Sequence, residues 1–197
     1  MDSDMTTATI VMAGGLGTRM KSSTPKMLHK ILGRPLVVFP LLRALEFTEG
    51  PVVVVAGSYI SSMRETVLAT PGVDADRVIF ARQENPLGTA DAVRTGLSAL
   101  QGVEGIDQVL ILNGDVPGLE SSTLSSLFQT HKEQKSSLSF LGFNAPDPTG
   151  YGRVLRDEGG EVRAIREEKE LEDEHLEICL VNGGMYLGEI TVLSAFL

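Results

Sequence analysis

Three glycines and two cations near the N-terminus form the densest chemical pattern in the chain: Ala13-Gly14-Gly15-Leu16-Gly17-Thr18-Arg19, followed by Pro25-Lys26. Glycines in that number let a backbone turn tightly and approach a ligand closely. The N–H groups such a turn exposes make a cradle for phosphate oxygens. Arg19 and Lys26 add positive charge beside it, in a chain whose formal net charge is −9. The plainer alternative is a strand-to-helix turn with surface cations. Two familiar phosphate loops do not fit. A dinucleotide fingerprint begun at Gly15 needs glycine at position 20, where Met20 stands, and an acid after the second strand, where Ala56-Gly57-Ser58 has none. A P-loop begun at Gly15 needs Gly-Lys-Ser at 20–22, but the chain reads Met20-Lys21-Ser22.

The second constellation is Asn113-Gly114-Asp115-Val116-Pro117, just past the apolar run Val109 to Leu112. Ligands of open α/β sheets bind outside the carboxyl ends of strands. Asp115 is therefore placed like a Mg²⁺ ligand facing nucleotide phosphates, since Mg²⁺ usually takes one or two carboxylates plus phosphates and waters. An Asx turn closing the strand is the alternative. Gln83 followed by Pro86-Leu87-Gly88-Thr89-Ala90 suits close approach to a flat base or a phosphate, or simple capping of a helix by Thr89. Pro148-Thr149-Gly150-Tyr151-Gly152-Arg153 reads equally as a tight turn. Ile165-Arg166-Glu167-Glu168-Lys169 reads equally as a solvated charged face. Val181-Asn182-Gly183-Gly184 completes the set. His29, His131 and His175 lack metal-ligand spacing, and Cys179 is expected in the core of an apolar strand.

The elements that must position these residues alternate. Thr9 to Ala13, Pro51 to Ala56, Arg77 to Ala81 and Gln108 to Leu112 are apolar runs of the kind a parallel strand covered on both faces requires. Between them, Leu87, Ala90, Val93, Leu97 and Leu100 fall on one helix face, as do Leu124, Leu127, Phe128 and His131 behind N-caps at Ser121-Ser122. Pro35 to Thr48 is predicted as a helix with Pro35 in its first turn and a bend at Pro40. Ser136 to Phe143, Gly152 to Arg156, Glu161 to Ile165 and Ile178 to Leu187 are strands of a partly antiparallel extension, with the charged segment Arg166 to His175 among them. The fold class is α/β, a Rossmann-like three-layer sandwich with a mainly parallel sheet, the extension grafted on the same domain. Thr191 to Leu197 reads as the start of an amphipathic helix cut short, so residues 1–197 are expected to be a fragment of a longer protein.

Composition narrows the function. The 197 residues are 42% hydrophobic, which argues against disorder. No apolar run approaches the roughly 18 residues of a membrane span. The acidic opening Met1-Asp2-Ser3-Asp4 lacks the basic region of a signal peptide. A single cysteine permits no intrachain disulfide, which fits the cytoplasm. The acidic balance opposes a nucleic-acid groove.

Together, in order and spacing, Ala-Gly-Gly-x-Gly-Thr-Arg-Met, Pro-Lys-x-Leu-His, Gly-Arg-Pro-Leu, Gln83…Pro86-Leu87-Gly88-Thr89-Ala90, Gly114-Asp115-Val116-Pro117, Asp147 to Arg153 and Glu167-x-Lys169 resemble the sugar nucleotidyltransferases from Ile10 to Leu187. Within them the chain is similar to the pyrophosphorylase part of the bacterial branch that makes UDP-N-acetylglucosamine, a cell-wall (peptidoglycan) precursor. The resemblance implies an enzyme that forms UDP-N-acetylglucosamine and pyrophosphate from UTP and N-acetylglucosamine 1-phosphate, with Mg²⁺. It implies that Met12, Ala13, Gly14 and Gly15 line the nucleotide, with Arg19 and Lys26 on its phosphates. It places Gln83, Gly88 and Thr89 around the uracil, Asn113 and Gly114 beside the substrates, and Asp115 on the metal. Gly152, Glu167 and Asn182 hold the sugar and ribose side.

The resemblance also implies that a second metal ligand, an Asn, lies beyond residue 197. The acetyltransferase β-helix through which the family forms trimers lies there too. Three positions depart from the family pattern: Gly14 stands for a usual alanine, Asp91 for a common histidine and Asn113 for a common tyrosine. The last two leave other sugar phosphates or nucleotides open as alternatives, and the missing ligand leaves open a non-catalytic nucleotide-sugar binding module.

Overall fold

The computed structural model describes residues 5–15, 17, 20–85 and 87–197. They form two compact units, one from the chain up to Ser139 together with Tyr186–Leu197, the other Phe140–Met185.

The first unit begins with β1 (Thr7–Met12), the short pair β2 (Lys30–Ile31) and β3 (Arg34–Pro35), α1 (Val38–Phe47) and β4 (Val52–Ala56). It continues through α2 (Ile60–Leu68), β5 (Val78–Arg82), α3 (Thr89–Ala99), β6 (Gln108–Asn113) and α4 (Ser121–Glu133). Strands β5, β4, β1 and β6 lie side by side in that order, all parallel, with Met12 level with both Val55 and Asn113. The chain next forms β7 (Leu138–Asn144), β8 (Arg153–Arg156), β9 (Val162–Arg166), β10 (Leu180–Glu189) and the terminal helix α5 (Ile190–Phe196). Residues 186–189 of β10 return antiparallel on β6, with Tyr186 opposite Ile111.

Burial on both faces explains the unbroken valines of β4, all fully buried. One face of the sheet, carrying Ile10, Val53, Val55, Val109 and Ile111, packs on Ala92, Val93 and Leu100 and on Leu193 of α5. Gly96 of α3 presses directly on Ile10: a Cβ there would come 2.7 Å from Ile10 Cδ1. The other face includes Thr9, whose hydroxyl meets Thr48 at 3.1 Å while Thr48 donates to Ala44 O at 3.0 Å. That satisfies two buried hydroxyls at the end of α1. Arg77 staples the α1–β4 turn through the carbonyls of Leu45, Thr48 and Gly50. The parallel register sets the carboxyl ends of β1, β4, β5 and β6 in one row, with Met12, Val55, Ala81 and Asn113 level.

In the second unit, β8 and β9 form an antiparallel pair, Arg153 opposite Arg166 and Val154 opposite Ile165. Arg153 also faces Val181 of β10. Two short 3₁₀ turns, Glu168–Glu170 and Asp173–His175, occupy the charged segment.

Several local expectations are corrected. Pro35 lies in β3, and Pro40 sits in the first turn of α1, where a missing N–H costs no helical bond and imposes no bend. Ser121 is the first residue of α4 and caps nothing; Glu120 precedes it. Leu87 precedes α3 and is 79% exposed. Cys179 lies before β10 and is exposed rather than core. The helix α2 carries too few apolar residues to announce itself: only Met63 and Val67 are buried. Among the described residues, no helix is long and apolar enough to cross a membrane.

Candidate active site

The glycine loop leaves β1 at its carboxyl end. Ala13 is still held to β4, its N–H donating to Val55 O at 2.8 Å. The chain then turns over the ends of the neighbouring strands. Gly114 N–H, just past β6, donates to Met12 O at 2.9 Å, and a Cβ on Gly114 would lie 2.8 Å from that same oxygen. Glycine here lets the backbone after β6 close onto β1 and sets Asp115 beside the loop. Gly17 is left-handed, φ +61°, and any Cβ would run into Lys26. These two glycines answer to steric demands that other residues meet only with strain.

Lys26 and Asp115 meet across this loop. Their ammonium and carboxylate lie 2.5 Å apart, and both side chains are about one-third exposed, 36% and 31%. Asp115 is thus a partly solvated carboxylate at a strand end with a cation beside it. Its hard oxygen atoms suit Mg²⁺ in company with phosphates and water, so the donor chemistry fits the implied ion.

Tyr59 is a site residue that sequence reasoning missed. Its hydroxyl lies 2.5 Å from Ala13 O and 2.9 Å from Gly15 O, bracing the loop from the start of α2. Burial pushes its pKa up to about 12. No motif flagged it, because a lone tyrosine before a polar helix carries no pattern.

Gln83 follows β5 and is buried, 4% exposed, its N–H donating to Ala56 O at 2.8 Å. Its side-chain nitrogen donates to Asp91 Oδ2 at 2.6 Å and reaches toward Gly88 O at 3.5 Å. Its Oε1 lies against Gly14, where a Cβ would come within 2.5 Å. Asp91 Oδ1 accepts from Arg94 at 2.6 Å. The Gln83 amide, then Arg94, hold the Asp91 carboxyl below the usual carboxylate range. Gly88, φ +122°, is the residue before α3, and exposed Thr89 opens that helix.

The first unit therefore brings together Met12, Ala13, Gly14, Gly15, Lys26, Gln83, Gly88, Thr89, Asn113, Gly114 and Asp115 at the carboxyl ends of four strands and the start of α3. Arg19, with Leu16, Thr18 and Pro86, lies outside the described residues. An apolar hollow of about 350 Å³ opens nearby, lined by Thr89, Val93, Ile111, Tyr186, Leu193 and Phe196 among others.

The second unit brings Gly152, Glu167 and Asn182 together. Asn182 N–H donates to Gly152 O at 2.9 Å, and a Cβ on Gly152 would lie 3.5 Å from Glu167 Oε1. Glu168, unremarked in the sequence except as part of a charge run, anchors the preceding turn. Its Oε1 accepts from Gly150 N–H at 2.9 Å and lies 3.8 Å from the guanidinium of buried Arg153. Glu172, Glu174 and His175 place ligand atoms within 4.8 Å of one another, but the two carboxylates are exposed.

The comparisons with known proteins bear on this geometry. The family model for the MobA-like NTP transferase domain matches residues 9–178. The chain belongs to the MobA-like NTP transferase family. Membership makes it a nucleotidyltransferase domain by class and accords with a glycine loop at the end of the first strand. The chain is 38% identical over 197 residues to the bifunctional protein GlmU of Corynebacterium diphtheriae, covering 100% of this chain and 40% of that protein. It is 40% identical over 186 residues to the bifunctional protein GlmU of Anaeromyxobacter dehalogenans, 94% of this chain and 37% of that protein. The chain thus spans about 40% of the length of the curated relatives it matches. Among solved structures, HddC from Yersinia pseudotuberculosis superposes with a TM-score of 0.71 at 19% identity, over 95% of this chain and 79% of that one. That likeness carries the α/β fold of the NTP transferases, with its mainly parallel sheet, as read from the sequence.

Proposed function

We propose that the chain is the uridylyltransferase part of a longer GlmU-type protein, joining UTP to N-acetylglucosamine 1-phosphate to give UDP-N-acetylglucosamine and pyrophosphate. One observation carries this reading: the loop at the end of β1 gathers Lys26, Asp115 and Gln83 around one row of strand ends, in the order the motifs require. The roles assigned to the residues belong to the same proposal. The loop Met12 to Gly15 cradles the triphosphate, Lys26 and Arg19 neutralise it, and Gln83, Gly88 and Thr89 meet the base. Asn113 and Gly114 border the substrates, while Gly152, Glu167 and Asn182 take the sugar and ribose hydroxyls.

The chemistry is an in-line exchange at phosphorus. A phosphate oxygen of the sugar 1-phosphate bonds to the α-phosphorus of UTP, the bond from that phosphorus to the bridging oxygen breaks, and pyrophosphate leaves with the electron pair. No protein nucleophile is required, because positioning and charge stabilisation supply the acceleration. Asp115 is the residue that would hold Mg²⁺, which when bound offsets charge on the phosphates. Lys26 is positioned to exchange its contact with Asp115 for phosphate oxygens. Cytoplasmic location, a place in cell-wall precursor synthesis and trimer formation through later parts of the protein extend the proposal. So does cover for exposed Phe196 from chain beyond residue 197, since Leu193 and Ile190 already pack on the sheet. A panel of nucleoside triphosphates and sugar 1-phosphates, assayed for pyrophosphate release, tests the reading. Turnover is expected with UTP and N-acetylglucosamine 1-phosphate, and a preference for another pair would displace it.

A further inference from the structure

Gln83 is an ambiguous group until its neighbours are considered, because an amide can present either a donor or an acceptor to a ligand. Here the ambiguity is removed. Asp91 is an acceptor only, and it lies 2.6 Å from the amide nitrogen. Arg94 holds the second carboxylate oxygen at 2.6 Å, so Asp91 cannot turn away without losing a charged partner. With the nitrogen committed to Asp91, Oε1 is directed to Gly14, into space that is open only because residue 14 has no Cβ. Two independent features, a carboxylate on α3 and a missing methyl on the loop, therefore impose the same orientation on one side chain.

We propose that Asp91, braced by Arg94, is a positioning residue that fixes Gln83 as a hydrogen-bond acceptor at the glycine loop. The site then selects a nucleobase edge that carries an N–H, as uracil and thymine do, over one that offers a bare ring nitrogen, as cytosine does. The inference rests on the reading of Gln83 as a base contact. A site whose buried polar group is left facing another acceptor rejects the wrong ligand strongly, since both groups lose their partners.

The test is calorimetric binding of UTP and CTP to this chain, wild type and Asp91→Asn, with Gly14→Ala in each background. Asparagine can accept or donate, so the Gln83 amide is free to turn over. In Asp91→Asn the UTP-to-CTP preference is expected to fall about tenfold or more, chiefly by a gain in CTP binding. A loss of fold or general loosening would lower both affinities alike and show as a fall in melting temperature, so the ratio is read in variants that melt as the wild type does. Gly14→Ala is expected to cost UTP affinity with Asp91 present and to cost measurably less in the Asp91→Asn background. An unchanged ratio in Asp91→Asn, or strictly additive effects of the two substitutions, overturns the role of Asp91. Equal binding of UTP and CTP by the wild-type chain overturns the uridine reading along with it.

Discussion

Lys26 and Asp115, 89 residues apart in sequence, form an ion pair with 2.5 Å between ammonium and carboxylate at the mouth of the glycine loop. The pair joins the cation that the proposed function sets on phosphate to the carboxylate that it sets on the metal. Each satisfies the other's charge, and the proposed function has them exchange this contact for phosphate and metal.

Asp115→Asn keeps the size of the side chain and removes its charge. Turnover in the enzyme extended to the length of its relatives is expected to fall about 100-fold or more, the scale of losing one charge-stabilising group. The pair is partly solvated, so its loss should cost only about 0–1 kcal/mol of stability. Wild-type rates in this variant would remove Asp115 from the metal role.

Lys26→Ala and Arg19→Ala test where the positive charge acts. Charge that builds in the transition state should make kcat fall more than KM rises. A change confined to KM would limit either residue to ground-state binding.

Tyr59→Phe should loosen the loop at Ala13 and Gly15 for a cost of about 1 kcal/mol, the scale of one hydrogen bond. The sign of its pH effect follows from burial. The folded-state pKa lies near 12, above the ordinary 10.0. Folding thus favours the neutral phenol. The stabilisation is fully present below pH 10 and lost as pH rises from there through about 12. Thermal melts across that range should show a steeper decline in the wild type than in Tyr59→Phe. Parallel curves would mean that the Tyr59 phenol is not held buried and neutral.

Gly17→Ala places a Cβ at φ +61° and against Lys26. The left-handed conformation alone costs roughly 1–2 kcal/mol for an L-residue. Nucleotide affinity should drop more than melting temperature, because the displaced group is Lys26. Unaltered UTP binding would mean that Lys26 does not need its observed place.

Glu168→Ala should leave the guanidinium of Arg153, whose side chain is 3% exposed, without its carboxylate and Gly150 N–H without its acceptor. KM for the sugar phosphate is expected to rise while KM for UTP holds. Equal shifts in both would point to a general loss of structure.

Much of this was legible in the sequence for definite physical reasons. Unbroken valines at 52–55 mark a strand buried on both faces, and the structure buries all four completely. Glycines at 14 and 17 mark close approach, although what approaches them is the protein's own Gln83 and Lys26, and a Cβ on Gly15 would meet nothing within 4 Å. The bracing roles of Tyr59, Asp91 and Glu168 were not legible, because each acts through a neighbour distant in sequence. The contacts span 46, 8 and 18 residues, and no spacing rule encodes them. Leu87 and Cys179 misled for the opposite reason: apolar type suggests burial, but connections at element ends expose such residues freely.

The most direct measurement is Mg²⁺-dependent pyrophosphate release from UTP and N-acetylglucosamine 1-phosphate. It is made with the chain extended to the full length of its relatives, beside the same protein carrying Asp115→Asn. Rapid release with the first protein, little when CTP or GTP replaces UTP, and near-complete loss in the variant are expected. Release that is equal in both proteins, or absent while UTP still binds, would contradict the assignment of this site to uridylyl transfer.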